Sequence, residues 1–257
     1  MKKNKLFIGA LALLMAFTTA CSSKTENTTT TSQDKDTFTY AINSDPSSTN
    51  PINVSDRWGL TMTNMIYSPL IRVEGDGSLV NELAESTELA KDGLSLTVNL
   101  KKGIKWSDGQ DFTADDVVFT YETKAKKENG NFKSLWINDK PITVEKKDDH
   151  TVVFKFPEPS AAAANNIATE TYIIPKHIYG NVSDFSVKDL QEKPVGTGPY
   201  KLVENKRGEY IKFEANENYY KGKPNVKNVV LRVIQSADTA KVALQKGEID
   251  ASYVLPT

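Results

Sequence analysis

Residues 96–122 read LTVNLKKGIKWSDGQDFTADDVVFTYE, and the way this stretch divides decides the fold. Its start belongs to LSLTVNL, residues 94–100, where Leu94, Leu96, Val98 and Leu100 alternate with Ser95, Thr97 and Asn99. Strict alternation marks a half-buried strand, so the four apolar residues are expected to face inward. Asp92-Gly93 ahead of it signals a turn. Ser107-Asp108-Gly109 signals another, which lets the chain reverse. The period then changes. Thr113 stands at an N-cap position with Asp116 three residues on, the spacing of a capping box. Val117, Val118, Tyr121 and Ala125 follow at helical intervals, and Lys124, Lys126 and Lys127 lie near the end, where cations suit the helix dipole. Strand, turn and helix in one short stretch point to a mixed α/β protein.

The pattern continues on both sides. TFTYAI (37–42) puts Phe38, Tyr40 and Ile42 on one side of a strand. HTVVFKF (150–156), EYIKFEA (209–215) and NVVLRVI (228–234) also read as strands, and NKRG (205–208) joins YKLVE to EYIKF as a hairpin. A helix from about Asp238 to Lys246 carries Ala240, Ala243 and Leu244 on one face, with Gly247 as its stop. Prolines at 157, 159, 175, 194 and 199 mark loops, and no internal repeat is visible.

Composition narrows the function. The 257 residues are 39% hydrophobic and 25% charged, with mean hydropathy −0.45, which excludes a disordered polymer and a polytopic membrane protein. Lys plus Arg number 32 against 33 Asp plus Glu, so no basic excess exists for nucleic acid. One cysteine and two histidines supply neither a disulfide framework nor a Cys/His metal cluster. His150 and His177 fall in no H-E-x-x-H spacing, and no G-x-S-x-G elbow or phosphate-binding glycine loop occurs. Asp115-Asp116 fits helix capping better than acid–base chemistry. No catalysis, no cofactor and no metal are expected.

The N-terminus reads as an export signal, residues 1–20. Three lysines in MKKNK precede the twelve-residue apolar run Leu6–Phe17, too short to span a bilayer. Thr18, Thr19 and Ala20 before Cys21 resemble a bacterial lipobox, which implies that Cys21 is lipid-modified, although Thr18 departs from the leucine usual there. Residues 21–36 are almost wholly polar and read as a flexible tether. Without residues 1–20 the chain has 29 basic and 33 acidic residues, net −4. The expected location is the extracytoplasmic face of the cell membrane, held by the lipid.

Two blocks carry a wider resemblance: residues 96–122, and PVGTGPYKLVENKRGEYIKFEANENYYKGKPNVKNVVLRVI (194–234) followed by ALQKGEID (243–250). Together they resemble the extracellular solute-binding proteins of family 5, the peptide and nickel binding subunits of ABC importers, over essentially all of residues 37–257. The resemblance implies the class II clamshell of the periplasmic-binding-protein type, with residues 37–67 as the first part of lobe I, 68–190 as an inserted domain and 191–257 as the second part of lobe I. Lobe II is then expected to be missing. Read locally, Gly196 and Gly198 offer positive φ, Pro199 fixes the exit from their turn, and Trp106 is core packing rather than a ligand contact.

The resemblance also implies contacts. Thr49 to Tyr67 aligns with the family segment whose backbone offers peptides an extended edge, here Ser55-Asp56-Arg57, in the manner of strand addition. Asn64 falls where some peptide binders place an arginine. Tyr253 follows GEID where family members set an aromatic against the ligand, and Phe132 and Trp136 lie near another aromatic contact. Arg57 as a solvated side chain, and Trp58, Phe132 and Trp136 as core aromatics, stand as plain alternatives. The function implied is a non-enzymatic lipoprotein that captures peptides and passes them to an ABC permease and its ATPase subunits. A nickel or haem binder of the same family, a surface pheromone receptor or adhesin without transport, and a non-functional truncated product are the competing readings.

Overall fold

The computed structural model describes residues 36–130, 132–160, 167, 171–187, 190 and 193–253. Export signal, Cys21 and the tether up to residue 35 lie outside the described residues. In chain order the strands are β1 (Thr37–Ile42), β2 (Ile71–Val73), β3 (Leu79–Asn81), β4 (Ala84–Leu89), β5 (Ser95–Leu100), β6 (Trp136–Ile137), β7 (Lys140–Pro141), β8 (Thr143–Asp148) and β9 (Thr151–Lys155). They continue as β10 (Tyr200–Lys206), β11 (Tyr210–Ala215), β12 (Asn228–Val233) and β13 (Ala251–Ser252). The helices are α1 (Arg57–Ile66), α2 (Ala114–Lys124) and α3 (Ala237–Gln245), with a single helical turn at Lys176–Tyr179.

Two larger sheets organise most of these elements, with β2-β3 and β6-β7 as separate two-stranded pairs. The first has the order β10-β11-β12-β1-β13, with β12 and β13 both parallel to β1 and the hairpin partners antiparallel. The second has the order β4-β5-β9-β8 and is antiparallel throughout. Each has its own core. The core of the second sheet contains Leu96, Val98 and Leu100 of β5, Phe154, and Val117 and Tyr121 of α2, together with the fully buried Trp106. Against the first sheet pack Trp58, Met62 and Ile66 of α1 with Phe213, Leu231 and Tyr179. The extended segment 172–174 serves both: Tyr172 and Ile174 enter the core of the first sheet, and Ile173 between them enters that of the second.

The capping box of α2 is formed. The Thr113 hydroxyl accepts from the backbone, and Asp116 accepts from the Thr113 N–H at 2.9 Å. The same buried carboxylate also takes the Lys176 N–H at 2.8 Å and the Trp106 indole at 3.4 Å, so one side chain ties the helix to the core tryptophan and to the Lys176 turn. Its burial raises its pKa, against the pull of those donors. Asp115 faces away, toward Lys146 and Lys176.

Three local expectations need correction. Gly196 and Gly198 are not among the positive-φ glycines. Their need is space: a Cβ on Gly196 would sit 1.9 Å from the Ile66 carbonyl oxygen, and one on Gly198 would sit 2.6 Å from the Ile66 carbonyl carbon. The Gly198 N–H donates to that oxygen at 2.7 Å, and Ser107 N–H donates to the Gly196 carbonyl at 2.9 Å. The GTGPY turn is therefore wedged between the end of α1 and the Ser-Asp-Gly turn. Leu94 does not face inward. It lies just before β5 and is 39% exposed, because the chain is still leaving the Asp92-Gly93 turn. Lys124 is not a solvated dipole partner. It is buried, with its ammonium 2.9 Å from the Thr171 hydroxyl.

Candidate ligand-binding site

The chain leaving β1 is folded by two polar side chains. Asn50, wholly buried, donates to the carbonyls of Phe185 (2.8 Å) and Val187 (3.0 Å) and accepts from Ile52 N–H, which pins residues 50–53 against the 185–187 loop. Asp56 then caps α1, accepting from Gly59 N–H at 3.0 Å and from the Ser47 hydroxyl. Its backbone is extended, with φ −90° and ψ 154°. Ser55 before it is exposed, and its N–H and C=O take no hydrogen bond among the described residues. Such an edge can pair with the backbone of any extended peptide.

Arg57 and Trp58 open α1, and the end of β13 brings Tyr253 to them. Asp250 fixes that strand, accepting from Thr39 N–H at 2.7 Å while its own N–H donates to the Thr39 carbonyl at 2.8 Å. Tyr253 N–H then donates to Ala41 O, so the tyrosine emerges beside the end of β1. Its ring meets Trp58 edge-on at 5.4 Å, and the Arg57 guanidinium lies over it at 4.8 Å. Trp58 is itself buried, tilted against Tyr40 at 6.2 Å, with its indole N–H on the Asn43 amide oxygen at 2.7 Å. This cluster stands at the carboxyl ends of parallel strands, where open α/β sheets place ligands.

The remaining candidates divide. Phe132 and Trp136 meet edge-to-face at 5.5 Å, with Lys127 over the Trp136 ring at 4.6 Å and the indole N–H on the Ala125 carbonyl. The loop before them touches the extended segment, since a Cβ on Gly130 would lie 3.1 Å from the Asn53 Cβ. Asn64 is not part of either group. It is exposed about two helical turns beyond Arg57 and donates to the Leu60 carbonyl. Tyr40 and Asn43 are not site candidates in the sequence; it is the packing of α1 against β1 and its exit that brings them to Trp58. Among the described residues no group of three or more His, Cys, Asp or Glu is placed to hold a metal, and no helix is long and apolar enough to cross a membrane.

A family model described as bacterial extracellular solute-binding proteins, family 5 middle, matches residues 78–257. The chain belongs to this family. Its curated relatives include the oligopeptide-binding protein AppA of Bacillus subtilis, 37% identical over 97% of this chain and 48% of the relative. Among solved structures, the ABC transporter substrate-binding protein CtaP of Listeria monocytogenes superposes with a TM-score of 0.78 at 38% identity, covering 84% of this chain and 44% of that one. NikZ of Campylobacter jejuni, in complex with Ni(L-His), gives 0.75 at 32% identity, covering 85% and 43%. This solute-binding protein thus spans about half the length of the relatives it matches, and its fold is the mixed α/β fold of periplasmic binding proteins, matched over one part of their chains.

Proposed function

We propose that this solute-binding protein captures peptides outside the membrane and delivers them to an ABC permease, held to the membrane by a lipid on Cys21. The observation that carries the reading is the exposed, unpaired backbone at Ser55, running into the Arg57–Tyr253–Trp58 cluster at the strand ends. Main-chain pairing gives affinity without sequence selection, and aromatic faces give contact area that most side chains can use. On the clamshell plan these groups form one wall of the cleft, with residues 37–67 and 191–257 as one lobe and 68–190 as the inserted domain. Phe132 and Trp136 are then the rim of that wall. The AppA of Bacillus subtilis has been solved with a nonapeptide, at 36% identity to this chain.

The test is what the protein carries when purified from its source membranes without denaturation. Mass spectrometry of the released material should show short peptides of mixed sequence. A nickel chelate or a haem spectrum in their place would move the assignment to the second reading, which the likeness to NikZ supports. Metabolic labelling with a fatty acid should mark the protein and fail for Cys21→Ser. Peptide uptake by cells should fall when the gene is deleted; unchanged uptake would favour a surface receptor.

A further inference from the structure

We propose that the Arg57 side chain reads a carboxylate on the bound peptide, which makes acidic peptides the preferred substrate class of the site; this rests on the peptide-binding reading above. Arg72 and Arg232 are both spent in ion pairs, with Glu82 and Glu74 and with Glu248. Arg57 is in none among the described residues, although it is exposed and stands beside a carboxylate. That carboxylate, Asp56, is turned back onto Ser47 and the Gly59 N–H, so it caps the helix and leaves the guanidinium unneutralised.

The guanidinium is also held in place. Tyr253 lies under it, Trp58 braces Tyr253, and Asn43 fixes Trp58. An arginine held over a ring by cation–π attraction spends no N–H group on a hydrogen bond, and its planar fork matches a carboxylate with two parallel hydrogen bonds. This contact restricts the side chain before the ligand arrives, so less rotamer freedom is lost on binding. The free backbone of Ser55, two residues earlier, sets the register of an extended peptide relative to the fork. Together they select one acidic side-chain position on a chain that is otherwise held without regard to sequence.

The experiment titrates the native protein with a peptide series identical except for one Glu, moved along the chain, or Gln in its place, and with C-terminal acid against amide. At one position the carboxylate form should bind roughly tenfold tighter, the scale of one charge-assisted hydrogen-bonded pair. In Arg57→Gln that ratio should fall to about one, Tyr253→Phe should keep it, and Tyr253→Ala should reduce it. Peptide binding with no Glu preference at any position, a preference for the C-terminal acid alone, or a preference that survives in Arg57→Gln overturns the proposal and leaves the peptide reading standing. No binding of either peptide form overturns both.

Discussion

A methyl group is too large for residue 196 or 198. Overpacking against a backbone carbonyl cannot be relieved by a rotamer change, so Gly198→Ala should destabilise the protein by about 3 kcal/mol or more, read from the urea midpoint, and Gly196→Ala by at least as much. Their spacing suggested a turn needing positive φ; in the sequence, a glycine kept for close approach looks the same as one kept for its dihedral freedom. Glu82 makes a second prediction at this scale. Burial pushes its pKa up, but hydrogen bonds from Lys221 and Tyr220, the Lys221 charge and the Arg72 hydrogen bond outweigh it and hold it below the ordinary value. A lowered pKa gives stability that is present above the ordinary glutamate range and lost as pH falls through the folded-state value. Glu82→Gln should therefore cost roughly 2 kcal/mol near neutrality, and its deficit against the wild type should close in acid. A deficit that stays constant with pH would show that the charge is not what matters.

At the level of elements, α1 depends on its cap. Asp56→Ala removes the acceptor of the Gly59 N–H and should cost about 1–2 kcal/mol, while Asp56→Asn should recover most of it. Thermal melts of the two variants separate a capping role from a simple loss of charge. The strands that the side-chain pattern marks in the sequence are β1, β5, β9, β11 and β12, and the hairpin turn adds β10; α2 and α3 are marked by helical spacing and their caps. β2, β3, β6, β7 and β13, each of two or three residues, are too short to show a period, whereas β4 and β8, the outer strands of the second sheet, are long enough and show none. AESTEL and TVEKKD are almost wholly exposed, and charged residues on such edges guard against pairing with other chains, which erases the pattern that marks a strand. The stripe Trp58, Met62, Ile66 in α1 carried a usable signal, whereas the meeting of Arg57 with Tyr253 did not. It arises from the parallel pairing of β1 with β13, which no local period encodes. The family resemblance points to each residue, but not to their contact.

Over the whole molecule, the two cores are joined by shared backbone. Tyr172 and Ile174 are held in one and Ile173 in the other, with Ile173 N–H donating to the Ser68 carbonyl and Ile174 N–H to the Thr120 hydroxyl at 3.0 Å. Opening one core exposes the apolar side chain that fixes this segment in the other. Urea unfolding should therefore be one transition. Trp106 and Trp136 report the core of the second sheet and Trp58 that of the first, so fluorescence midpoints of Trp58→Phe and of the double variant Trp106→Phe/Trp136→Phe should each coincide with that variant's own circular-dichroism midpoint. Separate midpoints would mean that the cores unfold independently.

The shared segment also sets how far ligand binding is felt. A ligand that binds only the folded protein raises its global stability, by about 2.7 kcal/mol at a hundred times Kd. If the cores open together, that increment reaches amides that touch no ligand. Hydrogen exchange at Val98 and Val152, paired across β5 and β9 and far along the chain from Arg57, would slow as much as exchange in β1, and the antiparallel sheet would serve as a remote gauge of occupancy at the strand ends of its neighbour.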